Sequence, residues 1–510
     1  MRFPRYLALI SVLVLVMASI AFAAPSQTKG SYLVGFHPGK ADKALGNGVE
    51  VVSEWPDIHA VSIKATAQAA EALKKNPNVE YVEEDEPRHK MGFTDGTYTW
   101  GLDAVNAPEA WAMGATGAGI KVCVLDTGID DTHPAFYRNG VSIIKAKMDF
   151  TRSKTGTFDV DGHGTHTAGT VAGQGNGPGS YFGTAPGVDL YIAKVLGDDG
   201  SGSTTGILNG VKWCAETVGA QILSMSLGGG RPSKTEDRAY TKYYNAGKLI
   251  IAAAGNDENN TTSYPAGYAS VVSVAAVDEN LAHASFSQWN ADVEIAAPGV
   301  GTLSGAPQGT GRQAAASEAG TAYTAHAVEF AALGTVAAPL VECGLADTTT
   351  SCQNPPAGTW IAMINRGTIT FADKVTNVMA QGAAAAIIAN NDTAAPDNAD
   401  SFTLGAAGNW IPTVSVSYNS GMAIRAGGLS TGTVSLTAWD YAYNNGTSMA
   451  TPHVSGVAAL AWSAKPALTG ATIRSILTAT AADLGAAGRD DYFGHGLVQA
   501  DAAVTMALTK

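Results

Sequence analysis

The sequence predicts an α/β protein built on a doubly wound parallel sheet, and two patterns predict it. From about residue 100 onward, apolar runs rich in Val, Ile, Leu and Ala recur at 120–125, 190–196, 221–227, 249–254, 271–277 and 293–297. Strands buried on both faces read this way. Stretches with helical character separate them at 166–172, 204–218 and 234–246, and strands alternating with helices form parallel βαβ units. A small α+β unit is expected before this body and a β-rich insertion within it.

Composition narrows the function classes. With 510 residues, 45% of them apolar, the chain can fill roughly three domain cores. Its formal net charge is -13, and no Lys/Arg cluster interrupts it. A nucleic-acid partner, which needs a concentrated basic surface, is therefore not expected. Four cysteines are too few for a disulfide scaffold and match neither a zinc ribbon nor a C-x-x-C redox pair.

Taken in order, residues 1–23 carry Arg2 and Arg5, an apolar run over 7–18 and the small-residue ending Ala21-Phe22-Ala23 before Pro25. These are the parts of a secretory signal peptide. A retained anchor helix is the alternative, and the A-x-A ending favours removal. The expected location is outside the cell, in the medium or a periplasm, with no stable membrane insertion afterwards. Residues 31–36, 49–54 and 58–63 then read as strands, 67–75 as a helix and 79–82 as a further strand. A polar stretch over 83–99 separates this unit from the main body.

Near the other end, residues 445–460 spell N-G-T-S-M-A-T-P-H-V-S-G-V-A-A-L. After His453 the run holds no charge or amide, so the helix it forms is expected to be buried. Ser448 stands where the chain enters that helix, beside free N–H groups and the positive end of the helix dipole. Such a place suits a developing oxyanion, although a serine there can also simply cap the helix.

In open α/β sheets ligands bind beyond the carboxyl ends of the strands. Asp126 follows the first strand in V-L-D-T-G, His163 opens a helix in G-H-G-T-H-T-A-G, Ser226-Leu227-Gly228 ends another strand, and Asn256 follows A-A-A-G. With G-T-S-M-A-T-P-H-V-S-G around Ser448, these motifs resemble those of the subtilisin-like serine proteases, the subtilases. The resemblance runs from about residue 31 to the end.

The resemblance implies a secreted serine endopeptidase needing no cofactor for catalysis and acting on proteins and peptides. It implies Ser448 as nucleophile, His163 as its base, Asp126 as the group orienting His163, and Asn256 as an oxyanion donor. Ser226, Leu227, Gly228 and Ala253, Ala254, Gly255 resemble two backbone walls that grip an extended peptide. Ser263 falls at the base of the specificity pocket with no carboxylate evident, so apolar or aromatic side chains are expected on the acyl side. His163 and His166 lack the spacing and the Glu of H-E-x-x-H, so His166 is read as structural.

The resemblance also divides the chain. Residues 31–91 correspond to an inhibitory propeptide, 97–305 and 438–510 to the two parts of the catalytic domain, and 306–437 to an inserted protease-associated domain. The propeptide is expected to be the enzyme's own inhibitor, cut off by the enzyme itself after Met91. Cys343 and Cys352 flank a short polar loop, and a disulfide is expected between them. Cys123 and Cys214 are either a second bridge or two buried thiols. Structural calcium is doubtful, because Ala135 stands where the family often has an Asp ligand; Asp130, Asp131, Asp198 and Asp199 are the other acidic candidates. A catalytically silent protein whose insertion does the binding is the alternative class, and no substituted triad member supports it.

Overall fold

The computed structural model describes residues 29–510 apart from 41–44, 46–48, 86, 91–92, 95–99, 176–180, 394–395, 398 and 400–401. The signal segment and the Met91–Gly92 bond lie outside the described residues.

The first unit comprises β1 (Gly30–Phe36), β2 (Glu50–Trp55), β3 (Ala60–Ala65), α1 (Ala67–Leu73) and β4 (Val79–Glu84), with the antiparallel sheet order β2-β3-β1-β4. Thr66 caps α1 by accepting the Ala69 N–H at 3.2 Å. Strand alternation gives the sheet two apolar faces. Val34, Phe36, Ile63 and Leu73 form the unit's own core. Leu33, Trp55, Ile58 and Ala60 instead join a cluster with Leu208, Ala239 and Tyr243 of the main body. The unit is therefore half of a shared core. Its tail continues as β5 (Pro87–Lys90) and β6 (Phe93–Thr94).

The main body begins with two short helices, α2 (Trp100–Ala104) and α3 (Ala107–Ala112), and β7 (Lys121–Asp126). A small hairpin, β8 (Tyr137–Arg138) with β9 (Val141–Ser142), precedes β10 (Ile144–Asp149) and α4 (His163–Ala172). Then come β11 (Asp189–Lys194), β12 (Ser201–Ser203), α5 (Thr204–Lys212), β13 (Ile222–Met225), β14 (Leu227–Gly228) and α6 (Lys234–Asn245). β15 (Leu249–Ala253), β16 (Val272–Val277) and β17 (Val293–Pro298) complete the central sheet. Its order is β10-β11-β7-β13-β15-β16-β17, and every pairing in it is parallel. Val122 and Val124 face one core, and Cys123 and Leu125 the other, so both faces are covered as the apolar runs predict.

After β18 (Thr302–Gly305) the chain leaves this body. The excursion contains β19 (Gly311–Glu318), β20 (Thr321–Tyr323), β21 (Ala325–Ala327), β22 (Gly334–Glu342), β23 (Ile361–Asn365) and α7 (Phe371–Ala380). It ends through β24 (Ala385–Ala389), β25 (Thr413–Val416), α8 (Tyr418–Ala426) and β26 (Thr431–Trp439). Its strands make one eight-stranded sheet, β20-β19-β26-β22-β23-β24-β25-β21, with its own apolar clusters. β26 runs to Trp439, paired with Gly311, so the sheet passes residue 437, where the sequence suggested a boundary. The chain returns on β27 (Tyr441–Asn445), antiparallel to β18, and enters α9 (Thr447–Ala464), followed by α10 (Gly470–Thr480) and α11 (Ala500–Leu508). Residues 447–462 are all buried. Among the described residues no helix is long and apolar enough to cross a membrane.

Candidate active site

Asp126 is the last residue of β7 and His163 the first of α4. His163 Nδ1 lies 2.7 Å from Asp126 Oδ1, with both side chains buried. The Thr127 N–H also donates to Oδ1, at 2.7 Å, and the Thr167 hydroxyl to Oδ2, at 3.1 Å. With donors at both oxygens, Asp126 stands as an acceptor facing the imidazole.

A second carboxylate, which the sequence reading passed over, holds this arrangement in place. Asp159 is fully buried and accepts from Gly162 N, Thr127 Oγ1, Thr165 N and Thr165 Oγ1, at 2.9, 2.8, 2.7 and 2.7 Å. It ties the turn after Asp126 to the start of α4. The only signal in the sequence was an acid four residues before His163. Gly164 belongs to the same junction: a Cβ there would lie 2.4 Å from the Gly128 carbonyl oxygen.

Ser448 is the second residue of α9 and fully buried. Gly446 is the N-cap and makes no side-chain bond, so Ser448 does not cap the helix. Pro452 sits inside α9 and has no N–H to offer the Ser448 carbonyl four residues earlier. The Ser226 hydroxyl donates to that carbonyl instead, at 2.7 Å. In return the Ser448 hydroxyl donates to the Ser226 carbonyl at 3.0 Å. His163 Nε2 is buried without a hydrogen-bond partner.

Asn256 lies beside the same helix start. Its Oδ1 accepts from Thr447 N and Thr447 Oγ1, both at 2.9 Å. With the oxygen so fixed, the side-chain NH2 is the end left to donate.

The tail of the first unit runs through this region. β5 lies between β12 and β14, antiparallel to both, with Lys90 opposite Leu227 and His89 opposite Ser201 and Gly228. β6 then pairs with β27, Phe93 opposite Asn445. An extended chain is thus added as a strand on either side of residues 91–92.

A buried Asp–His pair, a serine at a helix start and a clamped peptide strand are the furniture of a peptidase, and the model of the subtilase family matches residues 117–342 and 355–496. The chain belongs to the subtilase family. A model described as the fervidolysin N-terminal prodomain matches residues 24–85. The M-protease of Shouchella clausii (strain KSM-K16) is 37% identical over 310 residues, 58% of this chain and 78% of that protein. Subtilisin E of Bacillus subtilis (strain 168) is 35% identical over 302 residues, 56% of this chain and 76% of its own. Among solved structures, the psychrophilic subtilisin-like protease Apa1 from the Antarctic psychrotroph Pseudoalteromonas sp. AS-11 superposes with a TM-score of 0.61 at 34% identity, covering 79% of this chain and 96% of that one. Fervidolysin from Fervidobacterium pennivorans superposes with a TM-score of 0.59 over 95% of this chain and 62% of its own; at 24% identity it speaks for the fold alone. This subtilase is a serine endopeptidase carrying a prodomain.

The two walls expected of the subtilase cleft differ in how they meet the tail. Ser226, Leu227 and Gly228 lead into and form β14 beside the tail, and the strand across the tail from them is β12. Residues 253–255 make no strand pairing with the described residues of the tail; their bonds run to β16 and to the start of α9. Ala253 pairs with Val274, the Ala254 N–H donates to the Val274 carbonyl, and the Gly255 N–H donates to Thr447 Oγ1. Ser201-Gly202-Ser203 escaped notice because Ser and Gly carry no strand propensity. Ser263 is buried, its hydroxyl without a hydrogen-bond partner, next to the bridge between Gly229 and Tyr264.

The remaining candidates divide clearly. His166 is fully buried; burial, with the charge of His163 second, pushes its pKa down to about 3. Its Nε2 lies 2.9 Å from the Thr302 carbonyl and 3.1 Å from that of Ala442, so α4 is fastened to the β18–β27 pair. Asp130 accepts from Thr132 and from the Gln308 N–H, Asp131 pairs with Lys147, Asp198 with the buried Lys194, and Asp199 accepts the Ser201 N–H. Each acid suggested as a calcium ligand has a partner within the chain, and among the described residues no three His, Cys, Asp or Glu side chains gather as a metal site. Both cysteine pairs are disulfides, Cys123–Cys214 and Cys343–Cys352.

Proposed function

We propose that this subtilase is a secreted endopeptidase of broad specificity in which Ser448 attacks the peptide carbonyl. His163 takes the serine proton and returns it to the leaving amine, while Asp126 fixes the imidazole tautomer. The Asn256 side-chain amide and the Ser448 N–H receive the oxyanion. The acyl side of the substrate lies between β12 and β14, and Ser263, a neutral residue at the base of the pocket, favours apolar or aromatic side chains next to the cut bond. The inserted sheet, rooted at β18 and β27, governs the access of large proteins to the cleft.

The same reading makes the first cleavage intramolecular, between Met91 and Gly92, with the prodomain staying on as inhibitor. The observation that carries it is the strand pairing on both sides of that bond, with Lys90 opposite Leu227 and Phe93 opposite Asn445, three residues before Ser448. Holding the bond beside the nucleophile removes the entropic cost of encounter.

The test is to express the Ser448→Ala chain in a host lacking other proteases and to sequence its N-terminus. The expected product has lost its signal segment and keeps the chain through Met91, whereas the parent begins at Gly92. A variant that matures like the parent would overturn self-processing. Failure of the parent to react with a fluorophosphonate at Ser448 would favour the binding-protein alternative.

A further inference from the structure

We propose that Lys194 is a positioning residue for the Asp126–His163 pair: its buried ammonium pins the turn after Asp126 to the loop that delivers His163, and the socket it fills accepts a primary ammonium group. The inference rests on the reading of Asp126 and His163 as the acid–base pair and deepens it.

Lys194 ends β11 as Asp126 ends β7, and the two residues are partners in the parallel register. Ile192 and Val124, two residues earlier on each strand, belong to one core cluster. By strand alternation Lys194 and Asp126 therefore stand on the same face of the sheet. The lysine reaches past its neighbour. It donates to the Thr127 carbonyl, to the Phe158 carbonyl at 3.1 Å and to Asp198 Oδ1 at 2.8 Å. Three donors meet three acceptors, as a fully buried ammonium requires.

Those acceptors join the two halves of the acid–base pair. Thr127 follows Asp126, and Phe158 lies five residues before His163. The two segments touch: the Ile129 N–H donates to the Thr157 carbonyl at 3.0 Å, and a Cβ on Gly128, whose φ is +118°, would lie 2.6 Å from that oxygen. Carbonyl oxygens crowded together repel one another, and the ammonium between Thr127 and Phe158 turns that repulsion into a bond to each. Asp198 widens the grip, its Oδ2 accepting the Ser153 hydroxyl at 2.8 Å and its Oδ1 the Thr155 hydroxyl at 2.9 Å.

Thr127 transmits the effect. Its hydroxyl is held by Asp159, its carbonyl by Lys194, and its N–H is aimed at Asp126 Oδ1, the oxygen that faces His163 Nδ1. With the carbonyl released, that peptide can tilt and the carboxylate with it. A misplacement of ~1 Å by a change remote from the chemistry can cost about a hundredfold in rate. The cost falls on kcat, because the β12 wall is closed by Gly197, Asp199 and Ser201 without the lysine side chain.

The experiment uses the processed enzyme, with active sites counted by fluorophosphonate. Lys194→Ala removes the atoms of one propylammonium, and the socket can be reached along Asp198, whose side chain is 34% exposed. The variant should lose about tenfold or more in kcat with KM changed by less than about threefold. Added propylammonium should restore most of the loss, and propanol none of it. Parent-like kcat, a loss confined to KM, or a loss that the amine and the alcohol restore alike or leave alike would overturn the proposal. Should Lys194→Ala fail to fold or to mature, Asp198→Asn carries the test, since it keeps the shape of the socket and weakens only its charged partner. Its kcat should fall about threefold or more at unchanged KM, and a parent-like kcat would overturn the proposal. Full activity of His163→Ala would instead strike at the reading of the acid–base pair itself.

Discussion

Replacing Glu83 by Gln should loosen the prodomain from the rest of the chain without touching the cleft. Glu83, near the end of β4, is aimed at the N-terminus of α6. Its carboxylate accepts from the Ser233 hydroxyl, from the Lys234 N–H at 3.1 Å and from the Thr235 N–H at 3.1 Å. A hydrogen bond to a charged acceptor is roughly twice as strong as a neutral one. Halving three such bonds, and removing an anion from the positive end of a helix, costs about 2 kcal/mol in all. That corresponds to about a thirtyfold weaker hold, at 1.4 kcal/mol per factor of ten. The assay is recovery of activity when the processed complex is diluted: Glu83→Gln should become active at about thirtyfold higher concentration than the parent. Glu84→Gln, at an exposed neighbouring position, serves as control. If Glu83→Gln and Glu84→Gln both release at the parent's concentration, the carboxylate contributes nothing to docking and the reasoning fails.

Other outcomes follow from the site and its supports. Asn256→Ala should lower kcat about a hundredfold to a thousandfold, the loss known for such a donor in subtilisin, with KM little changed; steady-state kinetics on a small peptide would show it. His166 binds no proton in the fold until well below the usual histidine range, whereas the unfolded chain takes one near pH 6.5. Its contribution to stability is therefore full above about pH 6.5 and is lost as pH falls toward about 3. In a Ser448→Ala background, His166→Gln should flatten the dependence of unfolding free energy on pH between about 4 and 6 by about 1.4 kcal/mol per pH unit; superimposable slopes would contradict this. Converting Cys343 and Cys352 to Ser opens a loop with sequence separation 9. This should destabilise the inserted sheet by roughly 2–3 kcal/mol, read in denaturant unfolding, with peptide hydrolysis unchanged.

The positions of Asp126, His163, Asn256 and Ser448 were legible because each follows a strongly apolar strand or opens a helix, and those runs announce themselves. What stayed hidden depends on partners rather than on composition. β10 holds only half-buried and exposed residues in I-K-A-K-M-D, as an edge strand does, and carries no continuous apolar run. β12 is Ser-Gly-Ser, a strand because β5 lies against it. Asp159 looked like any turn acid, and only the folded loop shows four donors converging on it. The reciprocal bonds of Ser226 and Ser448 join residues 222 positions apart. Pro452 lies behind half of that link, since a proline inside a helix leaves one carbonyl without its usual donor.

β27 receives the tail strand on one edge, bonds β18 on the other, and ends at Asn445, three residues before Ser448. The inserted sheet hangs from this same strand. Its far end can grow, shrink or acquire new surface, because added chain there strains nothing near the serine. Its root is held more tightly, since any twist passed along residues 441–445 would disturb both the pairing with the tail strand and the start of the helix that carries Ser448. The graft is thus free in length and fixed in orientation, and new binding surfaces can be built on this protease only by extension from a rigid stalk.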